Sequence, residues 1–196
     1  MTKTTATVAA MVVMVAAGAV GHVDAAPRAE RVVVVHVTDY AHVSPGTLAN
    51  AEQLVTEVYS ATGVEVVWIN GMTAADQPAG SFEVNVVVLS REMADQRRQR
   101  DGVADSIFGT AVQAARRVYI FYNRIADHAA GTRTVVSLPL GLVLAHEIGH
   151  LLLPAYSHSR TGIMRAEWDG PIRLVPSFTN NQGATLRRRL VAVSGN

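Results

Sequence analysis

RVVVVHVTDYAHVSPGTLANAEQLVTEVYSATGVEVVWI, residues 31–69, is the stretch that decides the fold. Its first part, residues 31–38, is a run of β-branched side chains long enough for a strand buried on both faces. Ser44-Pro45 then reads as a helix start, a capping hydroxyl followed by proline at the first helical position. Leu48, Ala51, Leu54, Val58 and Tyr59 recur at helical spacing, and Gly63 stands just past the expected helix end. Residues 64–69 (VEVVWI) are a second strand. A strand, a helix and a strand in this order predict parallel strands joined by a right-handed crossover.

Working outward, residues 82–89 (FEVNVVVL) are a third strand, alternating at first and then continuously apolar. Residues 91–105 are polar, carry charges of both signs, and read as a solvated helix or loop. Residues 107–112 form a short strand that Gly109 weakens, and residues 117–122 (RVYIFY) a strong one. Residues 135–153 are a helix that starts near Ser137, tolerates Pro139 in its first turn and stops at Pro154. Residues 154–178 show no periodicity, and residues 181–193 read as a last helix. The expected fold class is α+β (α/β). It is a single domain with a twisted mixed sheet of about five strands, two main helices, and a small irregular C-terminal part ending in a helix.

Composition narrows the function. The chain has 196 residues, of which 49% are hydrophobic and 17% charged, so a disordered chain is excluded. With 17 basic and 16 acidic residues the net charge of +1 gives no reason to expect nucleic acid or an acidic membrane surface as a partner. The absence of cysteine excludes a disulfide scaffold, a thiolate metal site and a cysteine nucleophile. Residues 1–25 read as a signal peptide: Lys3, then the apolar run Ala6 to Val20, then Val23-Asp24-Ala25 as a cleavage site. Residues 26–196 are then the mature domain. Its expected location is secreted, periplasmic or extracellular, free of the membrane after cleavage, and its expected state is a monomer.

The helix over residues 135–153 contains His146-Glu147-Ile148-Gly149-His150, an HExxH sequence. Residues four apart share one helix face, so both imidazoles can reach one ion. Glu147 lies one step round, where it can accept a proton from a metal-bound water without being a ligand. With seven His in the chain, chance yields HExxH on the order of once in a hundred shuffles. The surrounding leucines matter more, because a buried helix does not carry two His and a Glu on one stripe unless they are paired or bind metal. Zinc, one catalytic ion, is the expected cofactor. It takes three protein ligands and a water, and it lowers the pKa of that water to about 7. His158 is the expected third ligand, with Glu167 and Asp169 as the other candidates. His36, His42 and His128 read as sheet or surface residues.

The stretch HEIGHLLLPAYSHSRTGIM, residues 146–164, resembles the zinc site of the metzincin clan of metallopeptidases, most closely the matrixin type. The resemblance implies zinc on His146, His150 and His158, Glu147 as general base, and Met164 as the Met-turn beneath the metal. It also implies that residues 107–112 form an antiparallel edge strand that aligns substrate, and that Tyr156 is a candidate for polarising a substrate carbonyl. The family places Gly three residues after the second His and its third His three further on; here Leu153 stands at the first position and His158 comes two residues late. The function implied is that of a secreted zinc-dependent endopeptidase acting on peptide or protein substrates. Two alternatives remain: a gluzincin-like peptidase with Glu167 as third ligand, and an exported zinc-binding protein without turnover.

Overall fold

The valine run forms β1 (Val32–Asp39), and Val32 to Val35 are all buried. Ser44 caps α1 (Pro45–Ser60) by accepting from the Thr47 N–H, and Pro45 opens the helix. That helix buries Ala51, Val55, Val58 and Tyr59 and delivers the chain to β2 (Glu65–Asn70), which lies parallel to β1. These are the first elements of a computed structural model that describes residues 31–70, 81–104, 106–166 and 174–194. The expected signal peptide, residues 1–25, lies outside them. β3 (Phe82–Val88) pairs in parallel with the other side of β1, and β5 (Arg117–Ile120) pairs in parallel with β3. β4 (Gly109–Val112) closes the sheet as an antiparallel edge, giving the order β2-β1-β3-β5-β4. The architecture is mixed α and β, with five strands and five helices among the described residues.

The polar stretch after β3 is the helix α2 (Arg91–Asp101), capped by the Ser90 side chain at its start and by left-handed Gly102 at its end. The strand expected over residues 117–122 is shorter, because Phe121 already caps the helix α3 (Tyr122–Thr132), which the sequence reading does not foresee. Strand alternation sorts the sheet's two faces. Val86, Val88, Val118 and Ile120 face the main core, while Val87 and Tyr119 pack with Leu89, Ala94 and Phe121 in a smaller cluster.

The element that matters for the site is α4 (Ser137–Leu152), of which 13 of 16 residues are buried. The Tyr59 hydroxyl of α1 donates to the Ala145 carbonyl at 3.0 Å. The two helices cross closely because position 141 is glycine: a Cβ there would stand 2.9 Å from the Ala51 carbonyl oxygen and 3.1 Å from Leu54 Cβ. α5 (Asn180–Ser194) completes the described fold and buries Leu186 and Leu190. Among the described residues no helix is long and apolar enough to cross a membrane.

The crossing at Gly141 predicts that Gly141→Ala pushes α4 off α1. Overpacking of this kind costs about 1–3 kcal/mol, to be read as a lower midpoint in urea unfolding. An unchanged midpoint would show that α1 gives way freely.

Candidate metal centre

His146 and His150 lie one turn apart on α4, and their Nε2 atoms approach to 3.0 Å. His158 arrives on the loop after the helix and sets its Nε2 3.1 Å from that of His150. Among the described residues these three form a group able to hold a metal ion, with ligand atoms within 4.8 Å of one another. Three imidazoles aimed at one point and open on one side suit zinc, which takes three protein ligands in a catalytic site. His146 is buried and His158 exposed, so the opening lies on the His158 side. His146 Nδ1–H donates to the Ile163 carbonyl at 2.9 Å. That bond fixes the tautomer and leaves Nε2 with its lone pair free for a metal. Ser157 Oγ lies 3.4 Å from His150 Nδ1 and plays a weaker version of the same part.

Burial pushes the pKa of His150 down to about 4, helped by the neighbouring His146 and His158. Burial also lowers His146, with His158 adding to the effect against the opposing bond to Ile163. Both rings are therefore neutral at neutral pH, the form that ligates. Glu147 is buried among apolar groups, and that burial pushes its carboxyl up to about 8. It faces β4 at the one position without a side chain. A Cβ on Gly109 would stand 2.6 Å from Glu147 Cγ and 3.0 Å from its Cδ.

The floor is Met164, fully buried, with its Sδ where a Cβ on Gly149 would lie 2.6 Å away. The loop to His158 leaves the helix through Leu153 in extended conformation. It turns at Tyr156, whose φ of 60° is the left-handed conformation that favours glycine. Tyr156 is fully exposed, so its side chain stands outside the metal centre. Gln113 holds the end of α4, its Nε2 donating to the carbonyls of His150 at 2.8 Å and Leu153 at 2.9 Å. These are carbonyls that a helix end leaves without a partner.

The remaining histidines lie elsewhere. His36 is on β1, 3.8 Å from a Glu83 oxygen; His42 is exposed in a turn; His128 meets the Phe108 ring on α3 with centroids 5.3 Å apart. Glu167 and Asp169 lie outside the described residues. Sequence reasoning missed Gly109 and Gln113 as contributors. A glycine inside a strand is a signal of close approach, whereas nothing local marks Gln113.

A cleft of about 960 Å³ runs past the three histidines and Glu147, with Ile107, Phe108 and Thr110 on one wall and Pro154 and Ala155 on the other. β4 is the edge of the sheet here. The Phe121 N–H donates to the Phe108 carbonyl at 2.9 Å, so Phe108 points toward β5. Antiparallel alternation then aims the main-chain groups of Gly109 and Ala111 at the free edge.

No family model matches this sequence, and no curated protein does. Among solved structures, a zinc-dependent peptidase from Methanocorpusculum labreanum is similar over 80% of this chain and 99% of its own, at 14% identity and a TM-score of 0.43. A Thermotoga maritima protein, known from its solution structure, is similar over 83% of this chain and 89% of its own, at 13% identity and a TM-score of 0.36.

The geometry predicts about one zinc per chain, measurable by metal analysis after metal-replete purification. His158→Ala leaves two imidazoles and is expected to weaken zinc binding by more than the roughly 10–100-fold typical of losing an outer partner. His36→Ala and His128→Ala are expected to keep their zinc. Full zinc in His158→Ala would remove it from the ligand set.

Proposed function

We propose that this chain is an exported zinc-dependent endopeptidase with a metzincin-like zinc site. The observation that carries the reading is the convergence of three imidazole nitrogens on a cleft that also holds the buried Glu147 carboxyl. A closed structural site would be completed by a fourth protein ligand; among the described residues the group consists of three histidines, and all three line the cleft. Export is supported by the Lys3, Ala6 to Val20 and Val23-Asp24-Ala25 pattern.

When bound, zinc supplies a nucleophile at neutral pH and polarises a carbonyl. The chain's own residues do the rest. Glu147 takes a proton from the attacking water and delivers it to the leaving amine nitrogen. It must be ionised to start, and a cation held by the three histidines would oppose the burial that raises its pKa. Gly109 leaves room for that carboxyl. The free edge of β4 binds the peptide main chain as an added strand, which takes hydrogen bonds from any sequence. The neighbouring apolar wall shapes side-chain preference.

Glu147→Gln is expected to retain zinc and fold while losing about a hundredfold or more in kcat on a labelled peptide library, because only the proton transfer is removed. Wild-type rates would reassign the base. A wild-type protein that binds zinc and cleaves nothing would favour the binding-protein alternative. Gly109→Ala is expected to keep zinc and lower kcat on the order of tenfold or more by displacing the Glu147 carboxyl. Unaltered kcat would mean that the side chain finds another path to the same place.

A further inference from the structure

His158 reaches the metal centre on a loop that packing does not hold. Pro154, Ala155, Tyr156 and His158 are all exposed. The contact that grips this loop comes from the far end of the chain. Gln182, in the first turn of α5, donates from its Nε2 to the Ser157 carbonyl at 3.2 Å and to Ser159 Oγ at 3.1 Å. One amide thus holds the residue before His158 and the residue after it.

The same side chain is fixed at its other atom. Gln182 Oε1 accepts from the Thr179 N–H at 3.0 Å, and Thr179 Oγ1 accepts from the Gln182 N–H at 3.3 Å. This is a reciprocal helix cap. α5 is itself anchored. Leu186 and Leu190 are buried, Arg187 Nη1 donates to the Thr62 carbonyl at 2.6 Å, and Phe178 meets the buried Tyr59 ring with centroids 5.0 Å apart. On the loop's other flank the Ser159 N–H donates to the Met164 carbonyl at 2.8 Å. The His158 segment is therefore strapped between the floor and α5.

We infer that Gln182 is a positioning residue that holds the third imidazole in place for the metal. The inference rests on reading His146, His150 and His158 as the ligands. The longer loop makes the role necessary: extra residues widen the range of places His158 could occupy, and only polar contacts narrow it again. Outer partners of this kind orient ligands and tune metal affinity.

Two substitutions separate the strap from the cap. Gln182→Glu keeps the acceptor oxygen for Thr179 and turns the donor facing the Ser157 carbonyl into a second acceptor. Thr179→Val removes the capping hydroxyl and leaves the amide intact. Zinc affinity, read by competition with a chromogenic chelator, is expected to fall roughly 10–100-fold in Gln182→Glu with Tm near wild type. Thr179→Val is expected to lower Tm and leave affinity near wild type. In the metal-free protein, amide hydrogen exchange at residues 157–160 is expected to speed up in Gln182→Glu only. Wild-type affinity together with wild-type exchange in Gln182→Glu would overturn the inference. So would a Thr179→Val protein that loses as much zinc, because Gln182 would then be a helix cap and nothing more. A wild-type protein that binds no zinc would fail the ligand reading, and exchange in the metal-free protein would then decide the strap by itself.

Discussion

The burial of α4 governs everything around it. A helix with 13 of 16 residues buried has almost no surface on which to solvate a polar side chain, yet it carries His146, Glu147 and His150. Burying ionisable groups without partners is costly, and the helix meets that constraint in one direction only. Its apolar sides press on α1 and the sheet, and its polar stripe turns to the cleft beside β4. Burial keeps the two rings neutral and raises the carboxyl. Neutral imidazoles crowded nitrogen to nitrogen are an arrangement that a cation relieves, because it gives each lone pair a partner. The packing of the core and the chemistry of the site are thus one constraint seen from two sides.

Neighbouring elements approach this helix closely where a side chain is missing. Gly109 lets the edge strand come down on Glu147, and Gly149 lets Met164 slide beneath the histidines. The edge strand therefore does two things at once. It sets the rotamer space of the carboxyl, and it leaves an unpaired row of main-chain groups beside it. A strand added there would lie alongside the Glu147 carboxyl.

Much of this was legible because local and tertiary preferences agree. The valine run, the Ser44-Pro45 start and the parallel strand pairing follow from patterns within β1, α1 and β2. HExxH on a leucine-rich helix fixed two of the three converging nitrogens. α3 was not legible, because Tyr122–Thr132 has no side-chain cap, buries only Ile125 and Ala129, and follows RVYIFY, whose aromatic residues continue the strand pattern. Gly109 looked like a defect in a strand because the reason for it, Glu147, lies far along the chain. Gln182 carried a local signal, Thr179-x-x-Gln182, but that signal announces a helix start and says nothing of the Ser157 carbonyl it also binds. Gln113 carried none at all.

The approach of His158 to the other two histidines follows from how α4 ends. The helix exits through Leu153 in extended conformation, and its side chain is buried. Burying a leucine is worth about 1.5–3 kcal/mol. A left-handed turn comes three residues later at Tyr156, where a residue with a Cβ gives up about 1–2 kcal/mol to adopt it. The exchange is close to balanced and leans toward the core. The extended exit leaves the carbonyls at the end of α4 without the bonds that a glycine turn provides, and Gln113, directly after β4, supplies them. The loop from there to His158 is exposed, and the Gln182 amide of α5 holds it on either side of the histidine. The buried leucine at the helix end thus goes together with the left-handed turn at Tyr156 and with the contacts that Gln113 and Gln182 make to the segment that follows.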